Sequence, residues 1–174
     1  MIKTQELKDA IRDIPDFPKK GIIFKDITTL LTRGDLFKKV IDHIADHYKS
    51  KRIEKVVGIE SRGFIFGAAL AYKLGAGIVP IRKKGKLPYK TVAATYQLEY
   101  GTDTLEMHED ALKPGTQVLV VDDLLATGGT AKATAELVEK VGGKIAGYAF
   151  LIELEFLKGR KNLNGYDVLS LIQY

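Results

Sequence analysis

Apolar residues follow two rhythms along this chain, and the switch between them is the first sign of its architecture. Near the amino terminus they recur at helical spacing. Leu7, Ala10, Ile11 and Ile14 predict a helix over Thr4 to Ile14, stopped by Pro15. Phe37, Val40, Ile41, Ile44 and Tyr48 share one face of a second helix, from about Asp35 to Tyr48. From residue 56 onward, short apolar runs alternate with helices. Val56–Ile59, Ile78–Ile81, Gln117–Val121 and Ile145–Leu154 read as strands. The segments Gly63–Leu74 and Thr130–Val141 read as helices, and the first is apolar almost all round, so it is expected to be buried. Asp167 to Ile172 reads as a late edge strand. This alternation predicts an α/β fold, a mostly parallel central sheet flanked by helices on both faces. Residues 91–109 depart from it and read as a two-stranded hairpin with a mobile tip around Glu99-Tyr100-Gly101-Thr102. No repeat or linker divides the 174 residues, so one domain is expected.

Composition narrows the chemistry. With 45% hydrophobic and 28% charged residues the chain can bury a core. It has no cysteine, which excludes disulfides and cysteine-ligated metals and suits a reducing cytoplasm. No apolar run approaches the roughly 18–20 residues of a membrane span, and the amino terminus lacks a signal-peptide core, so no membrane association is expected. The net charge of +5 leaves two partner classes open, nucleic acid or a small polyanion. Five cations fall within nine residues, Arg82, Lys83, Lys84, Lys86 and Lys90. By itself such a run is also an ordinary solvated face. Its place at the end of the Ile78–Ile81 strand, beside other strand ends that carry anion sites, points to binding.

The strongest strand leads into Asp122-Asp123-Leu124-Leu125-Ala126-Thr127-Gly128-Gly129-Thr130 and then a helix. Ligands of open parallel sheets bind at the carboxyl ends of strands. The paired glycines let backbone N–H groups approach an anion, Thr127 and Thr130 add hydroxyl donors, and the helix start adds its positive end. That assembly suits a phosphate monoester, and the two upstream carboxylates suit sugar hydroxyls. A Gly-Gly-Thr turn alone would be unremarkable; the whole string is specific. Neither the nucleoside-triphosphate loop pattern nor the dinucleotide Gly-x-Gly-x-x-Gly is present. Glu60-Ser61-Arg62-Gly63 likewise follows a strand and opens a helix, a second anion site, although Arg62 could instead pair with Glu60. His43 and His47 have metal spacing but no third ligand in view. Glu153 and Glu155 imply no acid–base geometry.

The string Val120 to Thr130 resembles the phosphoribosyl-diphosphate motif of type I phosphoribosyltransferases, in the form carried by the adenine-specific members of that family. The resemblance implies that Ala126, Thr127, Gly128, Gly129 and Thr130 wrap a 5′-phosphate while Asp122 and Asp123 hold ribose hydroxyls. It makes Glu60, Ser61 and Arg62 part of a pyrophosphate loop with a cis peptide at Glu60–Ser61, and gives Arg62 a catalytic role. It brings Arg82 to the pyrophosphate from its own or a neighbouring subunit, with Lys83 and Lys86 beside it. Ala94 to Gly101 is similar to the family's flexible catalytic loop, with Glu99 as acid or base and Tyr96 and Tyr100 closing the site. Phe17 to Ile27 resembles its purine hood: Phe24 stacks on the base, Ile23 and Lys25 read its edge through backbone groups, and Leu154 packs on the opposite face. Lys20 and Lys25 depart from the family's common proline and arginine there. The implied reaction moves 5-phosphoribosyl from phosphoribosyl diphosphate to adenine, giving AMP and pyrophosphate. Mg²⁺ would be held mainly by the substrate, with no direct protein ligand, and the enzyme would be a cytoplasmic homodimer without a nucleic-acid partner. Two alternatives stay open: a transferase for hypoxanthine, guanine or xanthine, and a non-catalytic regulator that senses the donor.

Overall fold

A computed structural model describes residues 3–97 and 101–174. Its centre is a seven-stranded sheet in the order β5-β6-β4-β3-β7-β8-β9. The strands are β3 (Lys55–Ile59), β4 (Gly77–Lys83), β5 (Thr91–Gln97), β6 (Thr102–His108), β7 (Gln117–Leu125), β8 (Lys144–Glu153) and β9 (Val168–Gln173). Strands β3, β4, β7, β8 and β9 are parallel, and the hairpin β5–β6 joins antiparallel through the pair Arg82↔Glu106. Helix α3 (Gly34–Tyr48), helix α4 (Gly63–Leu74) and helix α5 (Gly129–Lys140) complete the layers.

Each strand splits its side chains between two cores, as the alternation of a strand requires. Leu119, Val121, Ala149 and Leu151 face α3 and α4. Val118, Val120, Tyr148 and Phe150 face the buried stripe of α5, which includes Ala131, Leu137 and Val138. The helices lie on opposite faces because the chain leaves β3 in one direction and β7 in the other. The crossover through α4 leads from β3 to β4, and the crossover through α5 leads from β7 to β8. A right-handed connection made in opposite directions places its helix on opposite faces. The reversal opens a crevice at the carboxyl ends of β3 and β7, where a doubly wound sheet binds its ligands.

Two expectations need correction. The first helix does not reach Ile14: α1 spans Thr4–Asp9, and β1 (Arg12–Pro15) pairs antiparallel with β2 (Ile23–Asp26) in a separate ribbon. Leu7, Ala10 and Ile11 are buried as their spacing predicted. The strand pairing is held by polar contacts that periodicity does not register. Arg12 binds Asp26 at 3.1 Å through Nε and 2.5 Å through Nη2, and Lys25 Nζ lies 2.8 Å from Asp13 Oδ1. The Arg12 guanidinium, helped by the Thr28 amide and hydroxyl, holds the Asp26 carboxyl down at about 2. A one-turn helix, α2 (Thr28–Leu31), follows Asp26. Helix α4 is not buried all round either: Phe66, Leu70 and Ala71 pack inward while Ile65 and Tyr72 are exposed, Tyr72 by 91%.

Tyr48 ties α3 to the sheet. It is fully buried, and its hydroxyl donates to the Tyr148 carbonyl oxygen at 2.7 Å. Tyr48→Phe removes that donor while the carbonyl stays in the β8–β9 ladder, so it should cost about 1 kcal/mol in urea denaturation. A midpoint equal to the parent's would show that the bond contributes nothing net.

Candidate active site

Strands β3 and β7 run side by side, with Gly58 opposite Val121, so the loops leaving them emerge together. Their approach is as close as backbone allows. A Cβ on Gly63 would stand 2.9 Å from both the Val121 carbonyl and Asp122 Oδ1, which is why the first residue of α4 is glycine. Asp122 and Asp123 lie near the carboxyl end of β7, ahead of the buried Leu125, with Asp123 only 6% exposed. Asp122 Oδ1 accepts the Asp123 N–H at 2.9 Å. Arg62 Nε lies 2.7 Å from Asp123 Oδ2. Burial, and then the neighbouring Asp123 charge, push the Asp122 carboxyl well up. Burial also raises Asp123, although Arg62 opposes it. The acids are therefore poised for donors or a cation and are under-supplied with both.

Arg62 reaches further than its ion pair. Its guanidinium carbon sits 5.1 Å from the centre of the Phe24 ring, a cation–π contact. One side chain thus links the β3 loop, the β7 acids and the ribbon. The alternative pairing of Arg62 with Glu60 does not occur. Glu60 faces β4 instead, accepting from Arg82 Nε at 3.3 Å, from the Lys83 amide at 3.0 Å, and from Lys86 Nζ. Burial pushes Glu60 up, but Lys86, the Lys83 amide and Arg82 outweigh it and hold the carboxyl below its usual range. Lys83 Nζ pairs with Asp103 at 3.1 Å. The peptide between Glu60 and Ser61 is cis, as expected.

The turn after β7 carries Gly128 at φ +82° and opens α5 at Gly129. Asp122, Ala126, Thr127, Gly128 and Thr130 wall a cavity of about 60 Å³, large enough for a compact anion. The hairpin root folds onto it: a Cβ on Gly129 would come within 3.3 Å of the Tyr96 ring. Glu99 and Tyr100 lie outside the described residues.

On the ribbon side, Ile23, Lys25, Leu154 and Tyr174 border a cavity of about 450 Å³. Leu154 sits beside the turn after β7, its N–H bonded to the Leu125 carbonyl at 2.9 Å. Lys25 is tied to Asp13 and lies 4.0 Å from the centre of the Tyr174 ring. Phe24 is not on that cavity's wall. Side chains alternate along β2, and its ring turns the other way, to Phe17 at 5.2 Å and to Arg62. Gly159 and Asn162, which abut the 126–128 turn, and Arg160 between them carried no motif; a lone glycine in a polar stretch gives no signal of a contact made across the fold.

A parallel sheet whose adjoining strand ends offer paired acids, a glycine turn and a rank of cations defines a phosphoribosyltransferase, and the description "phosphoribosyl transferase domain" matches residues 26–172. The chain belongs to that family and, within it, to the adenine phosphoribosyltransferases. The enzyme of that name from Syntrophotalea carbinolica is 62% identical over 170 residues, 98% of this chain and 99% of its own. The crystal structure of adenine phosphoribosyltransferase from Thermoanaerobacter pseudethanolicus superposes with a TM-score of 0.95 at 53% identity, covering 99% of this chain and all of that one (100%). The Saccharomyces cerevisiae enzyme, solved with an imino-altritol bisphosphate and adenine, gives 0.92 at 45% identity, with 97% of each chain covered.

Crowded acids weaken a fold that has no ligand to satisfy them. Asp122→Asn keeps the acceptor for the Asp123 amide and removes one charge, so it should stabilise the ligand-free chain by on the order of 1 kcal/mol at neutral pH. An acid whose folded pKa lies above its unfolded value costs nothing while both states are protonated, and its cost grows as pH rises past about 4. The gain in Tm should therefore be larger at pH 8 than at pH 4. Equal gains, or a loss at pH 8, would contradict the crowding.

Proposed function

We infer that this chain transfers the 5-phosphoribosyl group from phosphoribosyl diphosphate to adenine, releasing AMP and pyrophosphate, a purine-salvage reaction. The observation that carries the reading is the convergence of the Glu60–Gly63 and Asp122–Thr130 loops at one crevice, joined by Arg62 and Asp123.

The chemistry follows from what these residues offer. The turn 126–130 supplies N–H groups and hydroxyls to the donor's 5′-phosphate, and Asp122 and Asp123 accept from its ribose hydroxyls. Arg62 and the Ser61 amide lie on the pyrophosphate side, with Arg82, Lys83 and Lys86 beyond them. To serve there, these cations exchange Asp123, Glu60 and Asp103 for phosphate oxygens. The purine nitrogen forms a bond to the anomeric carbon as the bond to pyrophosphate breaks, and the leaving group departs with the electron pair. Glu99 takes the proton from the base. Positive charge builds on the ribose and negative charge on the leaving oxygen, so preset cations lower the barrier, and exclusion of water protects the donor from hydrolysis.

The base enters beneath the ribbon. Its attacking nitrogen must reach the carbon held by the two acids, so it stacks on the Phe24 face now occupied by Arg62, with Leu154 and the backbone of Ile23 and Lys25 completing the hood formed by residues 1–34. Magnesium fits the same site, because the under-compensated carboxylates of Asp122 and Asp123 are hard oxygens. The ion would be held mainly by donor oxygens and would neutralise the leaving pyrophosphate. Among the described residues no helix is long and apolar enough to cross a membrane, and we place the enzyme in the cytoplasm.

We also read it as a homodimer. Ile65 and Tyr72 form an exposed apolar stripe on α4, continued by Ile78 on β4, and such a stripe suits a second copy. Light scattering should give twice the chain mass, and Tyr72→Glu should shift it toward the monomer; a monomeric parent would end that reading.

Offered each purine with donor and Mg²⁺, the protein should form nucleotide from adenine and far less from hypoxanthine, guanine or xanthine. Arg62→Ala and Glu99→Gln should each lower kcat roughly a hundredfold or more; Glu99→Gln should leave Tm close to the parent, whereas Arg62→Ala should also lower Tm, because it leaves the buried Asp123 carboxylate without its ion pair. Full activity in both variants would remove the site assignment. Steeply salt-dependent DNA binding without turnover of any base would favour the regulator instead.

A further inference from the structure

The donor turn leans on a segment that takes no direct part in the chemistry above. After β8 the chain makes two short 3-10 turns, Glu155–Leu157 and Gly159–Leu163. The second lies against residues 126–128. A Cβ on Gly159 would collide with the Ala126 carbonyl oxygen and stand 2.9 Å from the Gly128 nitrogen. A Cβ on Gly128 would in turn collide with the Gly159 carbonyl and lie 3.2 Å from Asn162 Cβ. Asn162 Nδ2 donates to the Thr127 carbonyl at 2.8 Å.

The segment is pinned from behind. Arg160 places Nε 3.0 Å from Glu153 Oε1 and Nη2 2.5 Å from Oε2, while Nη1 donates to the Val168 carbonyl at 2.8 Å. Glu153 is buried at the end of β8, so this two-pronged pair fastens the turn to the sheet.

A turn with adjacent glycines is otherwise free to wander, and ordering it on binding would cost affinity. The C=O and N–H of one trans peptide point in opposite directions. Drawing the Thr127 oxygen toward Asn162 therefore turns the Gly128 N–H away from the brace and leaves it available to an anion.

We propose that Gly159 and Asn162 are positioning residues for the phosphoribosyl donor, clamped to the sheet by Arg160 and Glu153, and that they hold the 126–128 turn in its anion-accepting form before the donor arrives. The proposal rests on the reading of residues 126–130 as the 5′-phosphate site.

The test measures kcat, the KM for donor and for adenine, Tm, and calorimetric binding of ribose 5-phosphate, which needs no turnover. Asn162 is exposed, so Asn162→Ala should leave Tm, kcat and adenine KM close to the parent while raising donor KM and the ribose 5-phosphate Kd roughly three- to tenfold, the value of one hydrogen bond. Asn162→Asp should do worse, because it cannot donate to Thr127 and adds a negative charge behind an anion site. Gly159→Ala pushes the turn by on the order of 1 Å and should cost about a hundredfold in kcat/KM for the donor. Lys161→Ala, one residue from both, should change nothing. Parental donor KM and ribose 5-phosphate affinity in both Asn162 variants would overturn the proposal. So would a uniform shift of every constant together with Tm, which is the mark of a merely structural role. Should the parent turn over no purine, the functional reading fails, and ribose 5-phosphate binding by parent and Asn162 variants still decides the brace; absence of binding by the parent would overturn it too.

Discussion

Two carboxylates near the carboxyl end of β7, only partly compensated by one guanidinium, set the terms for the rest of this molecule. Asp122 and Asp123 are pressed into the crevice by the sheet reversal between β3 and β7 and by the close seat of Gly63 against them. Burial raises both, and a site built this way holds stored demand for hydrogen-bond donors and positive charge. Arg62 answers part of it from the neighbouring loop and touches the Phe24 ring as it does so. The cations and acids of the site pair with one another: Arg62 with Asp123, Arg82 and Lys86 with Glu60, Lys83 with Asp103. The proposed donor, bringing hydroxyls to the acids and phosphates to the cations, would exchange each of these pairs for a better matched one.

The proposed reaction would also account for the position of Arg62. It lies between Asp123 and the Phe24 ring, the two sides on which that reaction puts sugar and base. Moving it to the pyrophosphate would free Asp123 and the Phe24 face in one displacement. Donor binding would then prepare the base site, a coupling made by a single side chain with two sets of partners.

The sheet, its hairpin and the three principal helices were legible because burial imposes a period on the sequence, and each strand end that carried charge or glycine advertised a loop with chemistry in it. The ribbon β1–β2 was not, because Ile11 and Ile14 continue a helical spacing while the strand pairing is held by Arg12–Asp26 and Lys25–Asp13, contacts between residues distant in sequence. The exposed stripe of α4 was misjudged for a related reason. Hydrophobicity says that Ile65 and Tyr72 want cover, and it does not say whether their own chain provides it. Glu60 stood in a recognisable loop, yet its partner on β4 depends on the parallel register Ile59↔Ile81, which local sequence does not carry. Gly159 and Asn162 were invisible because they act through backbone atoms of another segment, and a backbone contact leaves no pattern in residue type.

The positive charge of the chain completes the picture. Spread as a stripe over an exposed face, Arg82, Lys83 and Lys86 would suit a polyanion that tracks along the surface, and the regulator reading would gain weight. Instead they fold back on buried or half-buried acids, each paired with one of them, Arg82 and Lys86 with Glu60 and Lys83 with Asp103. Charges held that way cannot all face a long duplex, because turning outward abandons Glu60 and Asp103. They can be claimed one at a time by a compact ligand that enters the crevice and offers two phosphate groups of its own. The arrangement favours a small, doubly phosphorylated molecule over a polymer, and it does so through where the acids sit rather than through the size of the net charge.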